Sequence, residues 1–224
     1  MARRARAKKK TPAKTKTKRA SRGTASAAPR DKMSAAAALR RALLALVEER
    51  GWPDLSFAEI AEEAGVPIAE AHGIYSSKAA ILTGLTRAVD ERVLSAIDAE
   101  PLEGSAKDRL FDLLMRRFDV LKRDRGAYRR LMRQLPATPA EFACLLCQLR
   151  RSMTLTLEAA GLSASGLKGA LRRKGLFAIY MAGLRAFAND ESEDLAKTMA
   201  EVDKRLGQAA RLSEMLNRRR PQAA

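Results

Sequence analysis

The run LSFAEIAEEAGVPIAEAHGIYSSKAAIL, residues 55–82, most constrains what this chain can fold into. Ser56 followed three residues later by Glu59 is the pattern in which a hydroxyl caps a helix and the acid reaches back to the cap's own N–H. Phe57, Ile60, Ala61 and Ala64 then share one face of that helix. Gly65 to Pro67 must turn, because the glycine accepts a left-handed φ and the proline cannot continue a helix. Ile68 to Ile74 leaves room for barely two turns before Tyr75-Ser76-Ser77-Lys78. There a serine caps a longer helix running through Ile81, Leu82, Leu85, Val89 and Leu94. Short helices joined by a tight turn and followed by a long one make a helix-turn-helix layout.

The same period governs the rest of the chain. Leu39, Leu43, Leu46 and Val47 recur at spacings of three and four from about Ala35, and Gly51 stands just past them as a C-terminal cap. Leu110, Phe111, Leu114, Met115, Phe118 and Leu121 form a broad apolar stripe, and Gly126 to Leu135 reads as a short basic helix. Thr138, Pro139 and Glu141 supply a cap, a first-turn proline and a capping-box acid for a long helix that ends at Gly161. Aromatic residues are only 4% of a chain that is 46% hydrophobic, which fits Leu- and Ala-rich helices better than strands. The expected class is all-α.

Charge divides the chain more sharply than hydropathy does. Of a net charge of +17, residues 1–33 carry thirteen Lys or Arg against Asp31 alone. That segment, with Lys8, Lys9 and Lys10 in one run, buries too little apolar surface to offset its conformational entropy, and disorder is expected. Two uses are open to it, contact with nucleic-acid phosphate and simple solubility. If about six of its cations settle on phosphates, log affinity falls with log salt at a slope of about −5. Residues 34–87, by contrast, hold five basic side chains against seven acidic ones. The expected organisation is a tail over 1–33, a helix-turn-helix domain over 34–87 and a larger helical domain over 88–220.

Residues 38–85 resemble the N-terminal domain of TetR-type transcriptional regulators. The resemblance rests on ALRRALLALVEERGW for a first helix and its glycine-aromatic turn, LSFAEIAEEAGV for a second, and YSSKAAIL for the start of a fourth. It implies a bacterial, cytoplasmic, effector-responsive repressor that binds double-stranded DNA as a homodimer. It also implies DNA contacts from Ser56, from Ile68, Ala69, Glu70, His72 and Gly73 on the reading helix, and from Lys78 to phosphate. Several of these depart from the family's pattern. Ile68 stands for a lysine, Glu70 for a phosphate-binding threonine, and His72 for a tyrosine. Glu70 sets a carboxylate against a polyanion, yet a glutamate can also accept from a cytosine amino group. The alternative reading is a TetR-fold lipid- or quinone-binding accessory protein, similar to those of ubiquinone biosynthesis, that has lost sequence reading.

In the last two helices, small residues at Gly175, Ala178, Ala182, Gly183 and Ala186 invite close helix packing. Leu195, Met199, Val202, Leu206, Ala209, Ser213 and Leu216 approach a heptad seam. The resemblance implies dimerisation through 166–219, and the competing reading is packing within one chain. By the same resemblance Phe118, Phe142, Met153, Phe177, Tyr180 and Met181 surround an effector cavity for a hydrophobic small molecule or lipid. Cys144 and Cys147 are read as inert buried thiols, since one histidine in the chain cannot complete a zinc site with them. No phosphate-binding glycine loop and no nucleophile-base pairing suggests an enzyme, and no cofactor or metal is expected.

Overall fold

Ser56, Ser77 and Ser105 each cap the start of a helix with a side-chain hydroxyl. The computed structural model describes residues 29–218, with side chains from 34 to 215. Residues 1–28, which include Lys8, Lys9 and Lys10, and residues 219–224 lie outside the described residues, and so does the side chain of Leu216. Among the described residues there are α-helices and one 3-10 turn and no strand. Helix α1 spans Pro29–Glu49, so it begins inside the segment expected to be tail. Helices α2 (Phe57–Glu63) and α3 (Ile68–Ile74) follow, and α4 (Lys78–Ala99) is the long helix expected after them. Ser56 caps α2 with both halves of the capping box present, and Ser77 caps α4 by accepting from the Ala80 N–H. Gly51 and Gly65 hold φ of +96° and +65°, the left-handed turns that end α1 and α2.

The body consists of α5 (Ala106–Lys122), α6 (Arg125–Gln134), a 3-10 turn at Leu135–Ala137, α7 (Pro139–Ala159), α8 (Gly166–Ala188) and α9 (Ala196–Arg218). Two apolar clusters hold the molecule together. One joins α1 to α4 through Leu39, Leu43, Val47, Trp52, Ile60, Ala71 and Ile81. It also takes in Ala127 and Leu131 from α6 and Leu135 from the 3-10 turn, so the helix-turn-helix head closes its core with side chains of the body. The second runs through α4, α5, α7, α8 and α9 and includes Phe118, Met153, Tyr180 and Phe187. Each fully buried large side chain contributes about 1.5–3 kcal/mol before conformational entropy is counted. Helix α4 carries residues of both clusters, which makes it the mechanical link between head and body.

Three local expectations are corrected. Thr138 makes no side-chain cap, and its hydroxyl donates back to the Leu135 carbonyl at 3.0 Å. Glu141 accepts from the Trp52 indole N–H at 2.6 Å, so the partner it takes is a residue of the head. Cys144 and Cys147 are exposed, because the buried side of α7 is the one that carries Gln148, Leu149, Ser152 and Met153. The heptad-like spacing of the last helix is also divided: Leu195, Val202 and Leu206 are buried in the protomer's own core, while Met199, Ala209 and Ser213 are exposed.

Candidate DNA-reading head and effector cavity

Helix α3 is short because Pro67 precedes its first turn and the chain becomes extended at Tyr75. Ala71 is fully buried and fixes which side faces the core. Ile68, Ala69, His72 and Gly73 are all exposed on the other side, Ile68 at 56%, while Glu70 is half-buried. The His72 ring meets Phe57 edge-on at 6.3 Å between centroids, so α2 sets its direction. The angle between α3 and α4 is held by Tyr75, whose ring lies where Gly84 has no side chain. Its hydroxyl accepts from Arg40 at 2.7 Å.

The cations of the head are mostly engaged within it. Arg50 pairs with Glu59 at 2.5 Å. That guanidinium, together with the Ser56 hydroxyl and N–H, holds the Glu59 carboxyl at about 2, below its ordinary range. Lys78 donates to the carbonyls of Trp52 at 3.0 Å and Leu55 at 2.9 Å, and its ammonium lies 4.4 Å from the centre of the Trp52 ring. The ammonium expected to meet phosphate is thus engaged within the head. The lysine instead satisfies carbonyls in the turn between α1 and α2. Ser56 is exposed and already occupied by its capping box.

Trp52 is the node where head and body meet. It is fully buried; its backbone N–H donates to Gln134 Oε1 at 2.7 Å and its indole N–H donates to Glu141. Beneath this joint lies a cavity of about 260 Å³ between α4, α6, α7 and α8, walled chiefly by apolar side chains such as Leu85, Val89, Leu131 and Leu149. Phe142, Tyr180 and Met181 line it. Phe118 and Met153 do not: both are fully buried, and Phe118 fills core space between Tyr180, Phe187 and Gly183. Phe177 also lies elsewhere, its ring beneath the Arg150 guanidinium at 5.2 Å. The wall also contains Thr86, Tyr128, Met132 and Arg117, which the sequence pattern does not single out. Arg117 is 2% exposed and pairs with Asp90, which in turn accepts from the Ser152 hydroxyl at 2.5 Å. Burial lowers the tendency of the guanidinium to stay charged, and the neighbouring Tyr180 and Asp90 outweigh it and raise it. Tyr180 itself is pushed up by burial, so its hydroxyl stays protonated.

No protein-family model matches the chain, and no curated protein matches it. Among solved structures, a TetR transcriptional regulator from Nitrosomonas europaea superposes with a TM-score of 0.64 at 20% identity, over 78% of this chain and 97% of that one. The chain has the TetR fold. A second TetR regulator, from Rhodococcus, gives 0.56 at 15% identity over 80% and 96% of the two chains. The fatty acid degradation regulator FadR from Bacillus halodurans gives 0.54 at 15% over 77% and 95%. Within the TetR fold, α2 and α3 are the helix-turn-helix and α4 is its connection to the body. No described helix is long and apolar enough to cross a membrane.

Proposed function

We propose that this protein is an effector-responsive, DNA-binding transcriptional regulator, a repressor that acts as a homodimer. The observation that carries the reading is the face of α3: Ile68, Ala69, His72 and Gly73 stand exposed on a helix whose orientation is locked by Ala71, Tyr75 and Gly84. Such a face suits recognition by shape and by a few base-edge contacts. Ile68 offers an apolar surface to a thymine methyl, His72 a ring nitrogen to a base edge, and Glu70 an acceptor for a cytosine amino group. Arg40, Arg50 and Lys78 are engaged within the head, so we assign the bulk of phosphate attraction to the basic N-terminal segment, Lys8, Lys9 and Lys10 included. Ser56 contributes its exposed cap at the rim of the same surface.

Apolar side chains left on α8 and α9 support the dimer: Leu167 is 88% and Leu171 61% exposed, and Met199, Leu212 and Met215 are exposed too. The cavity beneath α4 supports an effector. A ligand that fits only one position of α4 shifts the spacing of two heads in a dimer, and with it their fit to successive major grooves. The test is selection from sheared genomic DNA near physiological salt with the full chain and with a chain lacking residues 1–28, a cut that spares every described helix. Shared enrichment of a few two-fold symmetric sites supports the reading; retention that is featureless and vanishes with the tail refutes it.

The α3 face carries no lysine or arginine, and this favours one other reading, a lipid- or quinone-binding accessory protein. Organic extraction of mildly purified protein followed by mass spectrometry separates the two. A protein that emerges empty and enriches DNA sites is the regulator.

A further inference from the structure

We infer that the effector is an anionic amphiphile, its apolar part in the cavity and its phosphate or carboxylate group on the arginines of an adjoining depression. This rests on the effector reading above. A second, polar depression of about 370 Å³ adjoins the apolar cavity and shares Met132 and Arg185 with it. Its wall includes Arg129 and Arg133 on α6 and Arg185 on α8, with Glu191 as the one carboxylate in that wall. Among the described residues none of these three arginines has a carboxylate within ion-pair distance. Arg129 Nε is buried without a hydrogen-bond partner, which is costly unless something completes it.

The two compartments sort a ligand by polarity. Inside, Arg117 already has Asp90 as its counter-charge, so the interior asks for apolar surface and not for a second anion. In the adjoining depression three arginines stand against one carboxylate, and planar forks of this kind bind phosphate or carboxylate in a bidentate way. The interior also limits length: a cavity of ~150 Å³ holds a six-carbon ring, so the 260 Å³ here takes a chain of about ten carbons.

Calorimetric titration of the full-length protein with decyl phosphate, 1-decanol and inorganic phosphate, each below its aggregation limit, tests this without involving DNA. Decyl phosphate is expected to bind at least about tenfold more tightly than decanol, with inorganic phosphate weakest of the three. In the Arg129→Gln, Arg133→Gln, Arg185→Gln protein that preference should shrink toward onefold while decanol binding persists. Persistence of decanol binding shows that the cavity is intact. Arg133→Gln alone, an exposed position, should lose about a third to a half of the preference on a logarithmic scale. Equal binding of decyl phosphate and decanol, equal binding of decyl phosphate and inorganic phosphate, a preference that survives the triple substitution, or no binding at all overturns the inference. Failure here with site-selective DNA enrichment intact condemns the ligand class alone; failure of the DNA selection condemns the regulator.

Discussion

The buried pair of Arg117 and Asp90 ties α5 to α4, the helix that links head and body, and its removal one charge at a time has a calculable cost. Asp90 on α4 is 7% exposed, Arg117 on α5 is 2% exposed, and Ser152 on α7 is fully buried. Arg117 Nη2 donates to both Asp90 and Ser152. Asp90→Leu strands a guanidinium among apolar side chains, and removal of one partner of a buried pair costs about 3–5 kcal/mol. Arg117→Met strands the carboxylate, which keeps only the Ser152 hydroxyl and relieves part of its cost by taking a proton. The double substitution removes both charges and leaves apolar groups of similar volume, for which a net change of about 0–2 kcal/mol is expected. The two single losses therefore fail to add, with a coupling of about 3 kcal/mol or more. Urea denaturation at fixed protein concentration reads this as midpoints lowered by about 1–2 M in each single variant and largely restored in the double. Single variants that lose under about 1 kcal/mol, or a double that loses the sum of both, would refute the buried-pair reasoning.

Asp190 is buried, which pushes its carboxyl up, but hydrogen bonds from Ser192 and from the Thr198 hydroxyl and N–H prevail and hold it at about 2. A depressed folded value means stability that is full above the unfolded value of about 3.9 and drains as pH falls toward 2; this contribution is about 2 kcal/mol and should be absent in Asp190→Asn by acid denaturation. Gly84→Ala puts a methyl 2.6 Å from the Tyr75 ring, so thermal melting should show a loss of about 1–3 kcal/mol despite a helix-propensity gain of about 1 kcal/mol. Removal of residues 1–28 should flatten the salt dependence of DNA affinity, measured by anisotropy, from a slope of about −5 toward zero while the ranking of sites persists.

Much of the head is legible in the sequence because its signals are local. A capping box at Ser56 and Glu59, a left-handed glycine at 65 and a serine cap at 77 determine helix ends within a few residues, and α3 lies where the spacing places it. The start of α1 is not legible, since the residues from Pro29 to Ser34 carry no apolar period to announce a helix. Glu141 shows the limit of local reading: Thr138 and the acid have capping spacing, but Trp52, far away in sequence, supplies the stronger buried donor. Lys78 escapes local reading for the same reason, as the carbonyls and ring that hold it belong to another turn.

The cavity is half legible. Helical spacing tells which side chains face inward, but not whether the space before them is filled. Phe118 points inward and meets the bare backbone of Gly183, so its ring is packing, whereas Tyr180 and Met181 border the void. The last helix poses a related ambiguity, because spacings of three and four satisfy an own-chain core and a partner helix equally. Val202 resolves half of it: fully buried, it lies beside Gly183 of α8 and belongs to the same apolar cluster as Phe118 of α5, which assigns that part of the seam to the protomer.

The central claim is that α3 reads DNA while the tail supplies attraction, and footprinting of the most enriched genomic fragment tests it most directly. Two protected segments related by two-fold symmetry are expected, with centres about 10 base pairs or a multiple apart, unchanged in position when residues 1–28 are removed. Replacing the exposed face through Ile68→Ala and His72→Ala should erase the pattern while general affinity at low salt remains. Protection that is continuous, without symmetry, and indifferent to those substitutions would contradict the claim.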